Sequence, residues 1–205
     1  MAEESKFYLR LGFTDDSSLW VSKMIRKVTK GPSHALVLVL EVTPTGEQKV
    51  SYYESIAKTD AKTHKTGVRG PISFDHLADW LAGKENRTLL TVPDEGWLPL
   101  TQHEAKDAIQ KMKDAVNIIY YAPLQLAMNL LAAKLNTRLT FGDGSPLFWT
   151  CCEMPLRCHA LPPRMWDLLN LLTLSADEFW PGGPSQYSLY AAAQRIVNKY
   201  GTIQP

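Results

Sequence analysis

Ser33-His34-Ala35-Leu36-Val37-Leu38-Val39-Leu40-Glu41-Val42, followed after a short turn by Lys49-Val50-Ser51-Tyr52-Tyr53-Glu54-Ser55-Ile56, decides how this chain folds. The unbroken apolar run from Ala35 to Leu40 reads as a buried strand with a histidine at its mouth. Pro44-Thr45-Gly46 suits a three-residue hairpin loop, because proline presets the first turn residue and glycine takes the left-handed position. Thr43 and Glu47 then face each other. Counting outward, His34 lies opposite Ile56 and Leu36 opposite Glu54. Side chains alternate with period 2, so His34, Leu36, Glu54 and Ile56 share one face. His34 and Glu54 become diagonal neighbours, about 7–8 Å apart at the backbone. A one-residue slip would send Glu54 to the other face.

Working outward, Asp15-Asp16-Ser17 can cap a helix whose Trp20, Val21, Met24, Ile25 and Val28 share a face, ended by Gly31-Pro32. Residues 58–69 form a polar segment carrying Lys58, Lys62, His64, Lys65 and Arg69, which reads as a solvated loop ahead of the alternative, a basic face toward an anionic substrate. Ser73-Phe74-Asp75 opens a short helix through Trp80 and Leu81. Thr101-Gln102-His103-Glu104 fits a capping box ahead of the stripe Ala105, Ala108, Ile109, Met112 and Val116. Pro123 suits the first residue of a helix running through Leu135. Further helices are expected over 163–174 and 186–199, joined through Trp180-Pro181-Gly182-Gly183-Pro184.

No repeat or linker divides the 205 residues, so one domain spans 1–205, with its core over about 17–162 and a helical extension over 163–205. A net charge of +1 supplies no basic field for nucleic acid. Three cysteines without framework spacing argue against disulfides and for a reducing, cytoplasmic setting. The acidic Met1-Ala2-Glu3-Glu4 start has no apolar signal region. The apolar run 124–135 is broken by Gln125, Asn129 and Lys134, so no membrane span is expected.

Phe148-Trp149-Thr150-Cys151-Cys152-Glu153 carries the chemistry. Thr150 and Glu153 fit a second capping box, which places Cys151 and Cys152 at a helix start. Free N–H groups and the helix dipole lower a thiol pKa there and can hold an oxyanion. Pro155 interrupts this pattern, so the helix starts irregularly or begins at Pro155 itself. A buried free cysteine also serves as a small apolar core residue. Zinc on Cys151, Cys152, Cys158 and His159 is disfavoured, since no C-x-x-C pair exists; no metal and no cofactor are expected.

The stretches Ser18-Leu19-Trp20-Val21-Ser22-Lys23-Met24-Ile25-Arg26 and Thr29-Lys30-Gly31-Pro32-Ser33-His34-Ala35 resemble the opening of the circularly permuted papain-like amidases of the YaeF/YiiX type, relatives of the NlpC cell-wall peptidases. In that family a Ser-His opens a strand, an acid follows on the next strand, and a cysteine comes last in a Cys-Ser-Glu-Leu-like helix start. Gly67-Val68-Arg69-Gly70-Pro71-Ile72 resembles the family's segment after the acid, and Tyr120-Tyr121 its Tyr-Asp pair, with Ala122 in place of the aspartate. The resemblance covers roughly 17–162. It implies an α+β fold of the permuted papain-like (NlpC) type, an antiparallel sheet packed against helices. It also implies Cys151 as nucleophile, His34 as base and Glu54 as the residue orienting it, with Tyr121 and Cys152 contacting substrate.

Cys152 stands where the family has serine. Alignment on the Asn-Cys-Glu-His of the lecithin retinol acyltransferase group would instead make Cys152 the nucleophile. The expected activity is hydrolysis of an amide or ester through a thioester, on a peptide, cell-wall or acylated small-molecule substrate, in a cytoplasmic or phage-borne protein. The alternatives are a thiol acyltransferase and a non-catalytic binding or assembly module that docks a protein partner, for which six tryptophans would suit a contact surface.

Overall fold

A computed structural model of the chain describes residues 4–16, 20–29, 32–56, 67–74, 87–90, 97–116, 118–121, 127, 148–149, 151, 154, 156 and 161–162. The expected hairpin is formed by β2 (His34–Val42) and β3 (Gln48–Ile56). Its register runs from Leu36↔Glu54 to Val42↔Gln48, as the turn residues dictate. The Thr43 N–H donates to the Glu47 carbonyl at 2.9 Å, the Gly46 N–H donates to the Thr43 carbonyl at 2.9 Å, and Gly46 is left-handed at φ 83°.

On the other side of β2 runs β1 (Lys6–Asp16), antiparallel, from Lys6↔Val42 to Thr14↔His34. The backbone of Asp15 and Asp16 continues the ladder, pairing with Thr88 and Arg87, while Ser17, the last residue of the expected cap, lies outside the described residues. The strand β4 (Gly67–Phe74) pairs with β3, while β5 (Arg87–Leu90) and β6 (Leu98–Leu100) both pair with β1. The sheet order is β4-β3-β2-β1-β5, with β6 beside β1. Ser73 and Phe74 belong to β4, opposite Ser51 and Val50, so the helix expected to open there does not start at those residues.

The central place of β2 explains its unbroken apolar run. A strand flanked on both edges and covered on both faces needs apolar residues at every position. Ala35, Val37 and Val39 join Leu9, Leu11 and Phe13 of β1 in one buried cluster. Leu36, Leu38 and Leu40 join Val50 and Tyr52 of β3 in a second, with Tyr8 and Trp97 against it. The helix α2 (Gln102–Ala115) adds Ala105, Ala108, Met112 and Ala115 to the first cluster. Its capping box is formed as expected: Thr101 Oγ1 accepts from the Glu104 N–H, and Glu104 Oε2 accepts from the Thr101 N–H at 2.8 Å. An antiparallel sheet with a helix in its core makes this an α+β fold.

The helix α1 (Trp20–Thr29) buries Ile25 as expected but departs from expectation at Trp20 and Met24. Ser22 and Ile25, three residues apart, turn inward, whereas Trp20 and Met24, one turn apart on another stripe, are 72% and 39% exposed. Tyr120–Tyr121 (β7) and Phe148–Trp149 (β8) form a parallel pair, Tyr120↔Phe148 and Tyr121↔Trp149. The Ile119 carbonyl just before β7 accepts from the Val68 N–H at 3.1 Å, tying this pair to β4. Of the helix expected over 123–135 only Ala127 is described, in helical backbone, and the helices expected over 163–199 lie outside the described residues. No described helix is long and apolar enough to cross a membrane.

Gly67 makes the β4–β7 approach feasible. At φ 131° a Cβ there would sit 2.0 Å from the Ile119 carbonyl oxygen and 2.8 Å from the Tyr120 Cα. Gly67→Ala is therefore expected to destabilise the chain by about 3 kcal/mol or more. Gly46→Ala, where a Cβ meets nothing within 4 Å, is expected to cost only the left-handed penalty, about 1 kcal/mol. Urea unfolding of the two variants checks the contrast.

Candidate functional site

The polar groups gather at one end of the sheet. His34 is the first residue of β2, and its Nε2 lies 2.8 Å from Glu54 Oε2 on β3. The diagonal relation set by the hairpin register is thus closed by side chains. Glu54 has no exposed surface, and the His34 side chain is 14% exposed. A carboxylate so placed must be matched by hydrogen-bonded charge. The other match comes from Arg69 of β4, whose Nε donates to Glu54 Oε1 at 2.8 Å while its Nη2 donates to the same oxygen. The Arg69 side chain is 22% exposed, so the cation keeps some contact with water.

This position of Arg69, in β4 and on Glu54, corrects the expectation of a solvated loop over 58–69. Arg69 reaches Glu54 through a bulge. β4 pairs Ile72 with Tyr52 and Arg69 with Glu54, so Gly70 and Pro71 together oppose Tyr53 alone. A regular ladder continued from Ile72↔Tyr52 would put Gly70 across from Glu54 and turn Arg69 to the other face. Gly70, at φ 135°, is required there because a Cβ would meet the Tyr52 carbonyl oxygen and the Tyr53 ring at 2.7 Å. The Gly-Pro pair next to a lone arginine, with the hairpin count extended by one strand, is the signal that could have found it.

The third member is Cys151, 2% exposed, in a turn with Met154 and Leu156 in helical backbone after it. It packs in the cluster that holds Phe13, Ala35 and Tyr53, and it hydrogen-bonds the His34 side chain at the end of the sheet. With Nε2 engaged by Glu54, Nδ1 is the ring nitrogen left for the thiol. Thr14, paired across from His34 on β1, is fully buried, and its hydroxyl has no hydrogen-bond partner among the described residues.

Thus His34, Glu54 and Cys151 are brought together. Tyr121 is placed only by its backbone, which pairs with Trp149 two residues before Cys151. Cys152, Thr150, Glu153 and the basic residues 58–65 lie outside the described residues. No group of three or more His, Cys, Asp or Glu among the described residues is arranged to hold a metal ion.

Burial by itself drives the His34 pKa down, since it disfavours the charged ring. The hydrogen bonds to Cys151 and Glu54, with the attraction of their negative charges, outweigh it and raise the pKa from 6.5 to about 9. At neutral pH the His34 ring therefore favours its protonated form, between the Glu54 carboxylate and the Cys151 sulfur. Such an arrangement can deliver a nucleophilic sulfur and a proton to the same bond.

Comparison of the chain with protein-family models, with curated proteins and with solved structures found no match.

A raised histidine pKa stabilises the fold fully below about pH 6.5, its unfolded value, and that contribution is lost as pH climbs through about 9. The His34 ring is expected to titrate near 9 by NMR. Glu54→Gln and Cys151→Ser are each expected to lower that midpoint, because each removes one of the charges that favour the imidazolium.

Proposed function

We propose that this chain is a cysteine hydrolase of amide or ester bonds, with Cys151 as nucleophile, His34 as general base and acid, and Glu54 orienting the imidazole. One observation carries this reading. A single partly buried imidazole is hydrogen-bonded to a fully buried carboxylate and to a thiol. The order His34, Glu54, Cys151 along the chain is that expected of a permuted papain-like fold, and the antiparallel sheet with its helix is compatible with it. A peptide, cell-wall or acylated small molecule is the substrate class that the resemblance supports.

The chemistry follows from the geometry. The Cys151 sulfur, its proton held by His34, attacks the substrate carbonyl carbon; an S–C bond forms and the carbonyl electron pair moves onto oxygen. Collapse of this tetrahedral intermediate breaks the C–N or C–O bond, and the departing amine or alkoxide takes the His34 proton. Neutral His34 then takes a proton from water, whose oxygen attacks the thioester. When the S–C bond breaks, the acid product leaves and the sulfur returns to its ion pair with His34. Glu54 holds Nε2–H throughout, keeping Nδ1 aimed at the reacting atoms.

Iodoacetamide at neutral pH is expected to modify one site rapidly, Cys151, and about 10²-fold more slowly in His34→Ala. Cys151→Ala is expected to abolish turnover of thiol-sensitive ester and amide substrates. Slow labelling shared evenly by the three cysteines would refute the enzyme and favour the binding module. Transfer of the acyl group to an added amine in preference to water would assign an acyltransferase instead.

A further inference from the structure

We infer that Arg69 is a positioning residue of this site: it keeps the buried Glu54 carboxylate ionised and turned toward His34, and it holds the cluster electrically neutral while protons move. The inference rests on the hydrolase reading above. Its first support is how the two carboxylate oxygens are shared. Both Arg69 donors fall on Oε1, and His34 takes Oε2. Two donors on one oxygen resist rotation of the planar group, so the other oxygen stays toward the imidazole.

The second support is charge. Facing Glu54 are His34 from β2 and Arg69 from β4; facing His34 are also the Cys151 thiol and the uncharged Thr14 of β1. The Cys151–His34 pair sums to zero as thiol with imidazole and as thiolate with imidazolium. The thioester with neutral His34, and the oxyanion with imidazolium, also sum to zero. With Arg69 cancelling Glu54, the four-residue cluster is neutral in every one of these states. Without Arg69 each state carries one buried negative charge, and a fully buried carboxylate relieves that by taking up a proton. A protonated Glu54 no longer stabilises the imidazolium, and the thiolate loses its partner. The bulge at Gly70-Pro71 is the third support, because it brings a cation across from Glu54 where the regular ladder would present a glycine.

The test is the pH dependence of Cys151 alkylation by iodoacetamide in the full chain, mapped by mass spectrometry, with circular dichroism to report folding. In Arg69→Met the pH at which Cys151 becomes reactive is expected to rise by about 1 unit or more. Arg69→Gln, which keeps a donor for Oε1 but no charge, is expected to do the same and is read if Arg69→Met does not fold. Arg69→Lys restores the charge and is expected to stay within about half a unit of the parent. Profiles of Arg69→Met and Arg69→Gln that overlay a reactive, His34-dependent parent would overturn this assignment while leaving the hydrolase reading intact. A parent chain whose Cys151 does not react at any pH would end the hydrolase reading and this assignment with it.

Discussion

Glu54 has no surface in contact with water, and a carboxylate in that position is held only while hydrogen-bonded cations match its charge. Breaking such a buried pair costs about 3–5 kcal/mol, more than most single interactions in a domain of this size. His34 and Arg69 are therefore constrained as much as Glu54 is. The central strand carries one, the outer strand the other, and the register of three neighbouring strands has to agree for both to arrive.

That agreement sets a charged cluster against a largely apolar interior. The odd-numbered side chains of β1 and β2 and those of α2 build the cluster in which Cys151 sits. On the opposite face Leu36, Leu38 and Tyr52 build the second cluster, with Leu36 paired across from Glu54. Low polarizability on both sides strengthens each charged hydrogen bond and makes an unmatched one expensive. Neutrality of the whole group, rather than the strength of any one contact, then sets which proton positions the site tolerates.

Short-range features were legible. Pro44-Thr45-Gly46 admits few loop geometries, so the pairing of Leu36 with Glu54 followed by counting. Thr101 and Glu104 lie three residues apart and bond each other, and their capping box needed no distant information. In β1, Phe7, Leu9, Leu11 and Phe13 alternate with Tyr8, Arg10, Gly12 and Thr14, a period-2 pattern that marks a strand, but nothing local says that it pairs with β2. Ile25 is buried as its stripe implies, but Trp20 and Met24 carry no local mark of exposure, and Ser22 turns inward in their place. Arg69 was hidden for a different reason. Its partner is fixed by a kink in the ladder, and alternation counted along one strand cannot reveal a phase change in its neighbour.

The two-against-one pairing at Gly70 and Pro71 also says how this part of the molecule can evolve. On either side of it, β4 answers to two different phases: Ile72 keeps step with the apolar side chains, Arg69 with the acid. A relative one residue shorter between 69 and 72 would keep the same ionic contact on a straight strand. One residue longer would demand a wider kink or present a different side chain to the acid. The length of the segment between 69 and 72 therefore decides, as much as its composition, which side chain meets the acid.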